Sequence, residues 1–249
     1  GTRVAYARGP LGAYATERNI DAKHLIALPP EVSDVTAASA MLKGLTAWYL
    51  LHETFPVRKG DAILVHAAAG GVGQILCQWG KLLGCRVIGT VGSEAKAITA
   101  KQAGADETIL YREEDIAKRV RELTKGEGVP VVYDAVGKTT FTASLDSLAP
   151  MGLMVSYGQA SGPIPAFELT ELAKRGSLFI ARPSMMDYMR SDATYRKAAE
   201  ALLAQIATGA LKVLPAQRFA LHQAAEAHRA LAHQELVVAQ LELGVGEDG

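Results

Sequence analysis

The stretch Ala62-Ile63-Leu64-Val65-His66-Ala67-Ala68-Ala69-Gly70-Gly71-Val72-Gly73 decides the fold. Its first residues form a continuous apolar run, as in a strand covered on both faces. From residue 71 to 83 apolar residues recur at three- and four-residue spacing, which predicts a helix. The small residues between them are placed like the G-x-G-x-x-G dinucleotide fingerprint. Ala68 stands where the first glycine makes the tight turn, Gly70 allows close approach of a pyrophosphate, and Gly73 allows close helix packing. The helix N-terminus beyond Gly71 offers free N–H groups and the positive end of its dipole to phosphates. A glycine turn without a ligand would have the same local composition; its position between strand and helix favours the nucleotide.

Outward from this unit the same order repeats. Short apolar strands are predicted at residues 62–66, 86–91, 107–110, 130–134, 153–157 and 178–181, with helices at 71–83, 95–103, 113–125 and 139–148. Right-handed crossovers then give an α/β fold with a doubly wound, parallel, six-stranded sheet of the Rossmann kind. Upstream, residues 35–52 read as a helix linking two domains, with Pro29-Pro30 and Ser33 as its start signal. Downstream, helices are expected at 195–208 and 222–233 and strands at 213–219 and 236–243. The flanks make no complete domain in chain order, so they read as two parts of one domain that the nucleotide-binding block interrupts. The expected division is 45–184 for that block and 1–44 with 185–249 for the other. Residues 3–7 and 12–15 read as strand pieces already inside a sheet, and with no initiating Met this suggests a chain truncated at its front.

Composition narrows the function. Of 249 residues, 49% are hydrophobic, ample for a packed core. Lys plus Arg and Asp plus Glu number 26 each, so there is no basic field to hold nucleic acid or an anionic membrane, and a small-molecule partner fits better. Cys77 and Cys85 are the only cysteines and lack the spacing of a structural zinc site or a disulfide framework, which suggests a reducing cytoplasm. No stretch reaches the length of a membrane span, and the first residues resemble no signal peptide.

The second strand ends Thr90-Val91-Gly92-Ser93, where an NAD site usually has an acidic residue for the ribose hydroxyls. Ser93 can donate to a 2′-phosphate and Lys96 can supply its counter-charge, so NADPH is expected over NADH, with Glu94 as the opposing evidence. A solvated surface role is the alternative for Lys96. Tyr111 follows the third strand, where its ring could cover the adenosine or pack in the core. Asp134-Ala135-Val136-Gly137 and Tyr157-Gly158-Gln159-Ala160 end the fourth and fifth strands, at the carboxyl edge where ligands bind such sheets. Gly137 and Gly158 also suit turns that need a positive φ.

With these residues in place the chain closely resembles the quinone oxidoreductases of the medium-chain dehydrogenase/reductase superfamily, the zeta-crystallin-like group. The likeness is carried by residues 42–49, 66–73, 89–96, 111–115, 132–137 and 152–158, in order. It implies NADPH contacts at Thr46, at Gly71 and Val72 for the pyrophosphate, and at Gly92, Ser93, Lys96 and Tyr111 for the 2′-phosphate and adenosine. Val136, Tyr157, Gly158, Ala160, Pro183 and Ser184 would lie nearer the nicotinamide. It implies no zinc, a GroES-like, partly barrel-like catalytic domain that is incomplete here, and a homodimer, for which the apolar edge at 178–181 is a candidate. The implied reaction is hydride transfer from NADPH to a quinone. The alternatives are an enone or alkene reductase, or a cofactor-binding fragment without turnover. No catalytic side chain is proposed, because quinone oxygens can take protons from solvent. Residues 232–236 depart from the family's arginine- and glycine-containing turn, where a cofactor contact is usual.

Overall fold

Apolar runs long enough for a buried strand, each followed by a helical period, dictate a sheet with helices on both faces. The computed structural model describes all residues except 214–216, 233–238 and 243–249. It divides into two compact units, Thr46–Tyr188 and Gly1–Leu45 with Met189–Gly249.

In the Thr46–Tyr188 unit, strands β3 (Ala62–Val65), β4 (Arg86–Val91), β5 (Glu107–Leu110), β6 (Val129–Asp134), β7 (Leu148–Ser156) and β8 (Phe179–Ala181) form one parallel sheet. Their order is β5-β4-β3-β6-β7-β8, so chain direction across the sheet reverses between β3 and β6. Helices α2 (Gly71–Leu82), α3 (Glu94–Gln102), α4 (Ile116–Leu123) and α5 (Phe141–Ser147) connect successive strands. Leu64 pairs with Ile88 and Val132, and Val132 with Met154, and these belong to a core with Val120, Phe141 and Leu145. Their neighbours Ile63, Val65, Val131 and Tyr133 point to the other face and are equally buried, which is why the strands read as unbroken apolar runs.

The expected elements of this unit are present with their ends shifted by a few residues. The largest difference is β7, which begins at Leu148; its pairing with β6 is irregular between Val129 and Val131, which hides the period. Two helices lie beyond the reading, α6 (Thr170–Lys174) and α7 (Met185–Tyr188), both too short for a period to register. Helix α1 (Asp34–Tyr49) starts where Ser33 Oγ accepts from the Thr36 N–H at 3.1 Å, and continues as a π-helical turn over Leu50–Thr54. Tyr133 from β6 donates its hydroxyl to the Leu50 carbonyl at 3.2 Å and so meets one carbonyl of that irregular turn.

In the other unit, β1 (Val4–Ala5) pairs antiparallel with β2 (Ile26–Ala27). Strand β9 (Gln217–Ala220) pairs parallel with β10 (Ala239–Glu242). The expected strand at 12–15 is absent. Gly12 has φ +121°, and the Arg18 guanidinium binds the Pro10 carbonyl and the Tyr6 hydroxyl, so the segment folds on itself as bends. Helix α8 (Asp192–Ala207), capped by Ser191, packs so tightly on α1 that a Cβ on Gly44 would meet Leu202 at 2.4 Å. Helix α9 (Ala224–Ala232) follows a short 3₁₀ turn. Parts of the strands expected at 213–219 and 236–243, and residues 233–236 of the departing turn, lie outside the described residues.

Candidate dinucleotide site

Each of the six parallel strands ends at one edge of the sheet, and the residues singled out in the sequence follow those ends. Gly71 and Val72 open α2 after β3, Gly92, Ser93 and Lys96 follow β4, and Tyr111 follows β5. Val136 follows β6, Tyr157, Gly158 and Ala160 follow β7, and Pro183 and Ser184 follow β8. Thr46 is on α1. All thirteen belong to the Thr46–Tyr188 unit.

The glycine turn is built by close contacts. The Gly70 N–H bonds the Ala67 carbonyl at 2.8 Å, and Ala67 itself has φ +52°, a conformation that costs a non-glycine residue free energy. A Cβ on Gly73 would lie 2.3 Å from the Ala67 oxygen, so the third fingerprint position is closed to any side chain. Gln74, buried, donates through Nε2 to the Ala69 carbonyl at 2.7 Å. That bond engages a turn carbonyl, while the first N–H groups of α2 have no partner within the helix. A cradle of this kind, at a helix N-terminus, fits a pyrophosphate.

At the end of β4, Ser93 caps α3 by accepting from the Lys96 N–H at 3.4 Å, which leaves its own hydroxyl proton to donate. Gly92 lies close under Tyr111: a Cβ there would lie 2.5 Å from the Tyr111 hydroxyl and would push the ring aside. Tyr111, half exposed, thus stands against the β4 end, and Ser93 and Lys96 are exposed beside it in sequence.

At the end of β6 the Asp134 carboxylate, fully buried, accepts from the Val136 N–H at 2.7 Å and the Gly137 N–H at 3.0 Å. Gly137 has φ +89°, as expected for its turn. Gly158 does not lie in the left-handed region; glycine is needed there because a Cβ would come within 2.6 Å of the Ala135 carbonyl oxygen. The two loops are tied together by Ala160 N–H to Ala135 O at 3.1 Å and Ser161 N–H to Val136 O at 2.8 Å. After β8, Ser184 O accepts from the Asp187 N–H and starts α7.

Three residues were missed in the sequence. Tyr49, buried and stacked on Tyr188 at 4.5 Å, lies one turn after Thr46, a spacing that could have flagged it. Burial, with Tyr188 adding to it, pushes its phenol up to about 12. Burial likewise pushes Tyr157 far up, and the Asp134 charge adds to that shift, so both phenols stay protonated as donors. His66, read only as a strand end, hydrogen-bonds through both ring nitrogens, to Thr90 and Ser144. Gln74 lay inside an apolar helical period that gave no reason to single it out.

Among the described residues no three His, Cys, Asp or Glu side chains gather as a metal site. Among them, too, no helix is long and apolar enough to cross a membrane. Cys77 and Cys85 are free, and burial raises their thiols to about 12 and about 11.

The sequence pattern of a family described as zinc-binding dehydrogenase matches residues 71–205, more than half of the chain. The chain is 49% identical over 232 residues to a quinone oxidoreductase of Pseudomonas aeruginosa, covering 93% of this chain and 71% of that protein. It is 44% identical over 240 residues to a 2-haloacrylate reductase of a Burkholderia species, covering 95% and 72%. The crystal structure of Escherichia coli quinone oxidoreductase complexed with NADPH superposes with a TM-score of 0.91 at 45% identity, covering 94% of this chain and 72% of that one.

Proposed function

Because the chain belongs to the quinone oxidoreductases of the zinc-binding dehydrogenase family, we propose that it transfers a hydride from NADPH to a quinone, the cofactor lying across the six strand ends. The observation that supports this reading is that twelve candidate residues follow the ends of the six parallel strands, and Thr46 lies on α1, all within one unit. What NADPH supplies when bound is a hydride equivalent at its nicotinamide. The N–H groups of Gly71 and Val72 hold the pyrophosphate. Ser93 and Lys96 hold the 2′-phosphate by a hydroxyl donor and an ammonium, and Tyr111 covers the adenosine. Thr46, Val136, Tyr157, Gly158, Ala160, Pro183 and Ser184 orient the nicotinamide end and exclude water from it. Quinone oxygens take their protons from solvent, so no side-chain acid is assigned.

We assign the Gly1–Leu45 and Met189–Gly249 unit to the GroES-like catalytic part, supported by its segments flanking the nucleotide unit in sequence. A reducing cytoplasm fits the two buried free thiols of the Thr46–Tyr188 unit, and a homodimer through β8 fits the exposed Phe179 on that edge strand. The likeness to a 2-haloacrylate reductase favours a second reading, reduction of an activated alkene at the same site.

Steady-state NADPH oxidation with a simple naphthoquinone and with an enone, followed by product analysis, tests the assignment. Faster turnover of the quinone is expected. Turnover of the enone alone would transfer the chain to the second reading, and NADPH binding without turnover of either would leave a cofactor-binding module.

A further inference from the structure

His66, Ser144 and Asp134 form a hydrogen-bonded chain inside the Thr46–Tyr188 unit, and all three are fully buried. His66 Nδ1 lies 2.9 Å from Thr90 Oγ1, and its Nε2 lies 3.0 Å from Ser144 Oγ. Ser144 donates to Asp134 Oδ2 at 2.7 Å, and Thr140 donates to the same oxygen at 2.7 Å. A carboxylate only accepts, so the Ser144 proton goes to Asp134 and Ser144 accepts from His66. Nε2 of the imidazole therefore carries the proton and Nδ1 accepts from Thr90. This one tautomer satisfies every group, and burial holds the ring neutral against the pull of Asp134.

The place of this chain in the sheet gives it a purpose. Strands β3 and β6 are neighbours where the strand order reverses, the crevice in which such sheets bind nucleotides. Their register runs to Val65 opposite Tyr133, and the last ladder bond is His66 N–H to Tyr133 O at 3.0 Å. Beyond it the backbones diverge into the two turns that meet the cofactor. The side-chain chain continues the link past that point: His66 directly precedes the glycine turn, and Asp134 Oδ1 fixes the N–H groups of Val136 and Gly137.

We infer that His66 is a positioning residue for NADPH, acting through Ser144 and Asp134 to hold the glycine turn at 67–73 and the turn at 135–137 in one fixed relation. The inference rests on the NADPH reading above. A dinucleotide must meet both turns at once, so freedom between them weakens binding of the whole molecule while neither contact surface changes.

Three variants separate this role from simple support of the fold. H66N keeps a polar atom at the place of Nδ1 and none at Nε2, H66Q keeps a donor at the place of Nε2, and S144A breaks the chain by removing one oxygen. NADPH affinity by fluorescence titration, KM for NADPH against kcat, and the thermal midpoint are measured for each. H66N and S144A are expected to bind NADPH about tenfold more weakly, the effect of one buried hydrogen bond. The loss should appear in KM and not in kcat, H66Q should stay within about threefold of wild type, and the H66N/S144A double variant should be no weaker than either single one. Unchanged affinity in folded H66N and S144A would overturn the inference, as would losses that follow the thermal midpoint and occur equally in H66Q. Failure of the wild type to bind NADPH would instead overturn the cofactor reading itself.

Discussion

At the scale of single residues, the proposed choice of NADPH over NADH turns on Lys96. Its ammonium sits on the first turn of α3, a place where the helix dipole disfavours a cation, so its value lies in an anion it can meet. A charge-assisted contact to a 2′-phosphate contributes about 1.5 to 3 kcal/mol. Lys96→Ala should therefore weaken NADPH about tenfold to a hundredfold, alter NADH binding little, and leave the thermal midpoint unchanged or slightly raised. Titration with both cofactors decides it, since equal losses would remove the 2′-phosphate assignment. His66 makes a different prediction. Burial lowers its affinity for a proton below that of the unfolded chain, whose histidine titrates near 6.5. Above that value both states are neutral and stability is complete; as pH falls below it the unfolded state takes up a proton that the folded state refuses. Stability should drop by up to about 1.4 kcal/mol per pH unit over this window, and the slope should flatten in H66Q. A wild-type denaturation midpoint that is level between pH 6.5 and 5 would show that His66 is not held neutral.

At the scale of elements, the glycine turn and α2 show what sequence can and cannot announce. The fingerprint spacing located the turn, because only small residues fit where backbone meets backbone, and Gly73 is the sharpest case. Gly73→Ala would drive its Cβ to 2.3 Å from the Ala67 carbonyl oxygen, and backbone cannot move aside as a side chain does. We expect NADPH binding to be lost and the thermal midpoint to fall by several degrees, as overpacking costs about 1 to 3 kcal/mol. A folded Gly73→Ala protein with intact affinity would contradict the close packing. Strand β4 was legible to the residue because its apolar run lies between the charge of Arg86 and Gly92, and the bounds read for β5 match as well. The role of Gly158 was half legible: composition marks a glycine, but whether φ or proximity demands it depends on Ala135, a residue from another loop. The chain from His66 to Asp134 was hidden for the same reason, since Ser144 is far from His66 in sequence and no local period encodes the link, whereas Tyr49 was overlooked despite lying one turn after Thr46. Residues 12–15 misled because alternation of small and aromatic residues resembles a strand, whereas the hydrogen bonds of Arg18 draw the segment into bends.

At the scale of the whole molecule, the two edges of the six-stranded sheet differ in a way that bears on assembly. The β5 edge carries Glu107, paired with Arg86, a charge that discourages another strand from docking. The β8 edge is three uncharged residues, Phe179-Ile180-Ala181, with Phe179 59% exposed. An open, uncharged edge invites a further strand, and the arrangement that closes after one addition is a two-fold pair, each copy offering β8 to the other. The protein should therefore run as a homodimer at micromolar concentration. Phe179→Glu should convert it to a monomer by burying a charge where the phenyl ring was, a change worth several kcal/mol against association. Because the candidate cofactor residues follow the strand ends and not the edge, the monomeric variant should still bind NADPH. Sedimentation or light scattering of both proteins, with a cofactor titration of each, makes the measurement. A wild-type monomer would leave the β8 edge without a partner of its own kind. A dimer that survives Phe179→Glu would place the interface on another face, and loss of NADPH binding on dissociation would mean that the site needs the second copy to hold its shape.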